Sequence, residues 1–263
     1  MDPRFRQRWV EVRRMEGRRR FRVVAGIGVI GALGVGGWAA TGSALLDLDR
    51  IVVVGAVHTP PDEARFASGL RRGERLLDVD GHRARRAVET LPWVEEASIS
   101  KRWPGEIRIR LVERRPVAFT ISQGGNAAVV DGTGRVLEWA DVPPPGLGAL
   151  TGLPPAGPAG SRLAPEGVAA LAVAAALPNE LRAHSEGVLP ADGGRGEVNI
   201  RISPEGVIRL GPPDDLQRKF DAVRAVLAQV DLHSLAVLDV RRPESPVLTR
   251  REPPAKVSTP RAG

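Results

Sequence analysis

The longest apolar run of the chain lies near its N-terminus. From Val23 to Leu46 it reads VVAGIGVIGALGVGGWAATGSALL, about 24 residues without a charge, and a helix of roughly 20 apolar residues crosses a bilayer core. One transmembrane helix is therefore predicted over residues 23–46. The stretch Val168–Leu177 is too short for a second and closes at Pro178. Beyond the span the pattern shortens into strands and helices. Asp49–Thr59 is rich in β-branched residues and stops at Pro60 and Pro61, which predicts a strand. A short helix is expected over Asp62–Leu70, broken by Gly73. A second is expected over Asp80–Leu91, with Ala84, Ala87, Val88 and Leu91 on one face and Asp80 placed to cap its start. Val94–Arg102 and Glu106–Glu113 read as strands joined by the turn Arg102–Gly105. In the second, Ile107, Ile109 and Leu111 alternate with Arg108 and Arg110, so one face is apolar and the other charged.

Further along, Asp131 and Gly132 are a hairpin signal between Val129 and Val136. Glu197–Ile202 and Gly206–Leu210 flank a turn at Ser203, Pro204 and Glu205. Asp214–Val230 is the clearest helix, with Leu216, Phe220, Val223, Leu227 and Val230 on one face expected to pack on a sheet. The segment holding Pro143, Pro144, Pro145, Pro154, Pro155 and Pro158 is expected as an irregular surface connection. Residues 251–263 are polar and proline-bearing, which predicts a disordered tail. The fold class is α+β: a transmembrane helix, a β-α-α-β-β block, then a β-rich region with a long helix.

Charge refines the topology. The chain has 38 Lys+Arg against 31 Asp+Glu, net +7. Residues 1–22 contain nine arginines against Asp2, Glu11 and Glu16, so the remainder is close to neutral. The basic flank before the span places the N-terminus in the cytoplasm and the large C-terminal part outside, a single-pass type II arrangement in the cell membrane. A cleaved signal peptide shares the order of basic and apolar residues, but its apolar part usually runs only about 7–15 residues. The tail arginines, interleaved with Phe5, Trp9 and Phe21, also suit the anionic cytoplasmic leaflet, although topology alone accounts for them. With the excess charge confined to that tail, the exported part offers no basic surface for nucleic acid.

Several motifs point nowhere. Gly26, Gly28 and Gly31 spell G-x-G-x-x-G with Asp49 about 18 residues on, but a dinucleotide fingerprint must follow a buried strand, and an arginine-rich tail precedes this one. Gly28, Ala32, Gly36 and Ala40 recur every fourth position and line one helical face that admits another membrane helix. There is no cysteine, and His58, His82, His184 and His233 are scattered without zinc-helix spacing. No nucleophile elbow, P-loop or S-x-x-K is present. No enzyme activity, cofactor, metal or small-molecule substrate is expected.

The β-α-α-β-β order directly after a membrane span resembles a POTRA domain. The residues are more telling than the order. Leu91, Pro92, Trp93, Val94, Ala97, Ile99, Arg102, Trp103, Pro104, Ile107, Ile109, Leu111, Glu113, Arg114, Pro116, Val117 and Ala118 are similar to the pattern of FtsQ/DivIB, a family of bacterial division proteins. Val54, Gly55 and Thr59 suit its opening strand. More weakly, the segments Val129–Val136 and Leu150–Leu153 resemble parts of its second, β-rich domain. The implied organisation is a basic tail 1–22, a span 23–46, a POTRA domain 49–118, an FtsQ-type β domain 119–250 and a tail 251–263. Three lysines, Lys101, Lys219 and Lys256, among many arginines point to a GC-rich genome of actinobacterial type.

The resemblance implies a scaffold at the division septum that holds single-pass proteins of the FtsB and FtsL type and, through them, the septal FtsW/FtsI peptidoglycan synthase. The expected means is strand addition at an unpaired sheet edge. Ala236–Arg241 resembles the family's penultimate strand and Ser245–Arg250 its last one, which makes Val237, Asp239, Arg241, Ser245, Val247, Leu248 and Thr249 the candidate partner-binding residues. A charge at Val247 or Leu248 is expected to weaken partner binding without unfolding. Pro243 and Pro246 remove backbone donors and shorten the stretch able to pair. Ile99, Lys101 and Arg102, at the exposed end of the POTRA middle strand, form a second candidate surface. The alternative class is a POTRA-bearing protein of polypeptide transport or outer-envelope assembly, although the chain has too few strands for a barrel of its own.

Overall fold

The computed structural model describes residues 24–35, 47–122, 124–191 and 196–251. Residues 24–35 form helix α1, with every side chain exposed. Among the described residues no helix is long and apolar enough to cross a membrane. Helix α1 is the described portion of the span expected over 23–46. Residues 23 and 36–46, the basic tail 1–22 and residues 252–263 lie outside the described residues. The chain divides into two compact units interleaved in sequence. The first takes the described residues up to Val54 with Pro61–Ala87 and Ser98–Arg110; the second takes Gly55–Pro60, Val88–Ala97 and everything from Leu111.

Strand β1 (Arg50–Val54) is followed by helices α2 (Pro61–Ser68) and α3 (Gly81–Val88), then by β2 (Val94–Arg102) and β3 (Glu106–Glu113). The strands form a three-stranded sheet of order β1-β3-β2. β1 runs parallel to β3 with Arg50 opposite Glu106 and Val54 opposite Arg110. The two later strands have the bounds that alternation predicts, and Ile107, Ile109 and Leu111 are buried as that pattern requires. Asp80 caps α3: its carboxylate accepts from the main-chain N–H of His82 and Arg83, each at 3.0 Å, satisfying donors that a helix start leaves unpaired. Leu48, Ile51, Ala64, Leu76, Ala84, Ile107 and Ile109 are buried in the first unit.

The expected strand Asp49–Thr59 is a correction. It stops at Val54 because Gly55 has φ +84°, and a Cβ there would lie 2.2 Å from the Leu111 carbonyl oxygen. Residues 57–59 turn instead onto Glu113. That carboxylate accepts from the N–H groups of Val57 (3.0 Å), His58 (2.9 Å) and Thr59 (2.8 Å), and His58 Nδ1 lies 3.0 Å away. The His58 ring stacks on Trp93 with centroids 4.0 Å apart. Burial alone would push the Glu113 pKa up, but the main-chain donors of Thr59, His58 and Val57 hold it down at about 2. The neighbouring Arg114 donates to the Val94 carbonyl at 3.1 Å and to Asp131 at 2.8 Å. Asp131, also buried, accepts from Thr133 and Arg135 at the hairpin turn.

The second unit is built on a nine-stranded sheet of order β12-β11-β10-β9-β8-β7-β4-β5-β6. Its strands are β4 (Pro116–Ile121), β5 (Ala127–Asp131), β6 (Val136–Ala140), β7 (Gly148–Leu150), β8 (Ser185–Pro190), β9 (Val198–Ile202), β10 (Gly206–Gly211), β11 (Leu235–Asp239) and β12 (Val247–Arg250). Helices α4 (Gly167–Ala176), α5 (Asn179–Arg182) and α6 (Leu216–Leu227) complete it. The expected hairpin around Asp131 and the strand pair around Ser203–Glu205 are present. The proline-rich connection is less irregular than expected, since β7 lies within it and pairs in parallel with β4. Three residues carry too little periodicity to be read as a strand; their partners across the sheet define it. Helix α4 is almost wholly apolar (GVAALAVAAA) and buries Ala170, Leu171, Val173 and Ala174, so no amphipathic stripe marks it in the sequence. In α6 the predicted stripe packs as expected, with Phe220 and Val223 buried and Leu216 and Leu227 against the same core. The helix is shorter than expected at both ends, because Asp215 has left-handed backbone before it and Val230 lies beyond it. Lys219 is unexpectedly buried; its ammonium group bonds the Pro212 carbonyl at 2.8 Å and pairs with Asp214.

Candidate partner-binding edge

β10 and β11 are parallel neighbours, with Val207, Ile208 and Arg209 opposite Val237, Leu238 and Asp239. A parallel pair needs a long crossover, and α6 supplies it. β11 continues past a tight loop into antiparallel β12, where Val237 faces Thr249, Leu238 faces Leu248 and Asp239 faces Val247. Here the sheet ends. Among the described residues the far side of β12 has no strand against it.

Strand alternation separates the candidate residues into two faces. Leu238 is fully buried and Leu248 packs against the same core. Val237, Asp239, Val247 and Thr249 lie on the opposite face, and Val247 is 61 % exposed. The two positions, expected to behave alike, have different surroundings: Val247 faces solvent, and Leu248 faces the core. The Arg251 N–H bonds the Ser234 carbonyl at 2.8 Å, and alternation along the strand then directs the N–H groups of Leu248 and Arg250 outward to the free edge. Pro246 precedes β12 at the same outward parity, and Pro243 lies in the loop before it. Neither interrupts the pairing with β11, and Pro246 limits where the outward donors begin.

The loop is held by a fork of charge-assisted bonds. The Arg241 guanidinium donates through Nε to both Asp239 carboxylate oxygens at 3.1 and 3.0 Å, and through Nη2 at 2.6 Å. This arginine holds the Asp239 pKa below the ordinary carboxylate range, while Asp239 raises that of Arg241. The Val240 N–H reaches back to the Arg209 carbonyl at 3.0 Å and its side chain is buried. Asp239, Arg241, Ser245 and Val247, four of the expected residues, converge with Glu197, Pro212 and Arg242 around an open cleft of about 450 Å³. Glu197 and Pro212 carried no signal in the sequence, because only the sheet order brings the β9 and β10 ends beside the loop that holds Arg241 and Arg242. Leu248 and Thr249 do not line this cleft; they belong to the edge itself.

The other candidates lie elsewhere. Lys101 and Arg102 are exposed at the end of β2, an edge strand of the smaller sheet, with Ile99 half-buried; Lys101 Nζ donates to the Leu77 carbonyl at 3.2 Å. Gly28 and Ala32 are exposed on α1, while Gly36 and Ala40 lie outside the described residues.

Residues 46–114 match the family model described as the FtsQ-type POTRA domain. Curated relatives extend the match. A cell division protein FtsQ from Corynebacterium glutamicum is 32 % identical over 132 residues, 49 % of this chain and 57 % of that protein. Over these stretches the chain is similar to FtsQ proteins, and its residues 46–114 carry an FtsQ-type POTRA domain. The FtsQ of Streptomyces bingchenggensis is 31 % identical over 173 residues, 63 % of each chain, and that of Salinibacter ruber is 33 % identical over 121 residues, 45 % of each. The chain spans about half the length of the first curated relatives it matches. These similarities agree with the resemblance carried by the Leu91–Ala118 residues, and two of these relatives are from actinobacterial genera.

Proposed function

We propose that the chain is a non-catalytic scaffold of the division septum, tethered by residues 23–46, that captures a strand of another single-pass division protein on β12. One observation carries this reading: among the described residues β12 ends its sheet with outward main-chain donors and an exposed Val247, while Leu248 packs partly buried against the core. An unpaired edge offers a ready template for an added strand. Leu248 and Arg250 supply the main-chain pairing, Val247 and Thr249 the side-chain contacts, and the Asp239–Arg241 cleft receives a polar residue flanking the added strand. Partners of the FtsB and FtsL type fit this mode, and through them the septal FtsW/FtsI synthase would be recruited or regulated. The test pairs location with binding. A fluorescent fusion of the full chain should gather at mid-cell in dividing cells, and Val247→Asp should reduce capture of an FtsB-type partner with the thermal unfolding midpoint unchanged. Uniform envelope fluorescence together with unaltered capture overturns the scaffold reading in favour of a transport or assembly role.

A further inference from the structure

The first described residues after the expected span, 47–49, are gripped from two sides. The N–H of Leu48 donates to the Glu74 carbonyl at 2.7 Å, and the Gly73 N–H returns to the Leu48 carbonyl at 2.9 Å. The main chain of Asp47 pairs with that of Arg75 in an isolated antiparallel bridge. On the other side the Asp49 N–H donates to the Gly105 carbonyl at 2.8 Å, and Gly105 approaches so closely that a Cβ there would lie 2.7 Å from the Asp47 carbonyl oxygen. Leu48 and Leu76 are fully buried beside these bonds. The loop 71–75 and the β2–β3 turn are thus fixed to the point where the chain leaves toward residue 46. Consecutive Cα atoms are about 3.8 Å apart, so no free linker separates this end of the unit from the close of an expected bilayer span.

The side chains here have a composition suited to a membrane interface. Trp103 is 55 % exposed at the tip of the turn and Leu77 is 51 % exposed. Arg71, Arg72, Arg75, Lys101 and Arg102 are all exposed, and Lys101 is tied to the Leu77 carbonyl. Asp47, Asp49, Glu74, Asp78 and Asp80 lie on the same loops, with Asp80 turned into the start of α3. Tryptophan favours the headgroup level, and arginine and lysine reach anionic headgroups from it. We propose that this end of the first unit rests on an anionic bilayer surface, with Trp103 at headgroup depth and Arg71, Arg72, Arg75, Lys101 and Arg102 contacting phosphates. The proposal rests on residues 23–46 being the span, and it makes the start of the ectodomain a second point of membrane contact. It assigns Lys101 and Arg102 to lipid rather than to a protein partner.

Because the chain has no cysteine, Leu77→Cys gives the full chain a unique nitroxide site. Glu63→Cys, near the start of α2, gives a reference. The chain is placed in nanodiscs of phosphatidylcholine alone or with phosphatidylglycerol in the majority. Accessibility to dissolved oxygen, which partitions into lipid, and to a water-soluble nickel chelate is then measured. The expected result is a rise in the oxygen-to-nickel ratio at the Leu77→Cys site by about twofold or more in the anionic discs, absent at Glu63→Cys. It should be lost in Arg71→Gln/Arg72→Gln/Arg75→Gln and reduced in Trp103→Ala. A chain retained in the disc after an alkaline wash, with equal ratios in both lipids, overturns the proposal alone. Shielding from nickel without gain in oxygen contact also overturns it, in favour of a protein contact. A chain stripped from the disc by the wash overturns the span reading and this proposal with it.

Discussion

Glu113 and Asp239 are carboxylates at the ends of strands, and their surroundings differ in what holds them. Glu113 is 9 % exposed at its side chain and is met by three main-chain N–H groups from one loop. Asp239 is met by one flexible arginine whose side chain is 50 % exposed. The first arrangement fixes a loop that sequence periodicity reads as strand. The second holds a surface loop lightly and leaves an edge and a cleft open beside it. A largely covered acceptor met by several main-chain donors acts as a structural lock, because losing it breaks several bonds at once and leaves the donor of buried Thr59 without its acceptor. An exposed ion pair contributes little to stability and is free to exchange partners.

The contrast predicts a ranked series of effects. Glu113→Ala, the most disruptive, should cost about 3 kcal/mol of stability in thermal or denaturant unfolding, since charge-assisted bonds to three main-chain donors are lost together. Unfolding as a function of pH should show the same lock. The folded-state pKa of Glu113 is depressed to about 2 from 4.5, so its contribution is present above the ordinary value and fades as pH falls from about 4.5 toward 2. A variant Glu113→Gln should flatten that acid limb; an unchanged limb would remove Glu113 from the account. Leu248→Asp should cost about 2 kcal/mol by placing a charge against the core. Val247→Asp on the adjacent, exposed position should change stability by less than about 0.5 kcal/mol while lowering partner capture. Smallest of all, Arg241→Ala should leave the thermal unfolding midpoint unchanged, as the loss of an exposed pair does. A large loss there would show that the loop is a lock like the first.

The two regions also differ in how far they were legible. Around Glu113, the residues from Leu91 to Ala118 carried the family pattern and the strand bounds, because Ile107, Ile109 and Leu111 alternate cleanly with charged neighbours. The loop on Glu113 was not legible: VVVGAVHT has strand composition, and only the approach of Gly55 to Leu111 stops it. At the C-terminal edge the two last strands were legible to within two residues. The cleft residues Glu197 and Pro212 were not, because they come from segments far apart in sequence from the loop they meet. Trp103, Arg71, Arg72 and Arg75 were likewise scattered until their loops closed on residues 47–49.

From sequence alone came the apolar run, the placement of charge before it, the β-α-α-β-β order and the amphipathic α6, all set by periods of two or 3.6 residues that a local window contains. Tertiary structure alone decided which strand ends the sheet, which of Val247 and Leu248 faces the core, the burial of Lys219 and the existence of β7. Those depend on pairing partners tens of residues away, and hydrogen bonds across a sheet leave no trace in the spacing of the residues that make them.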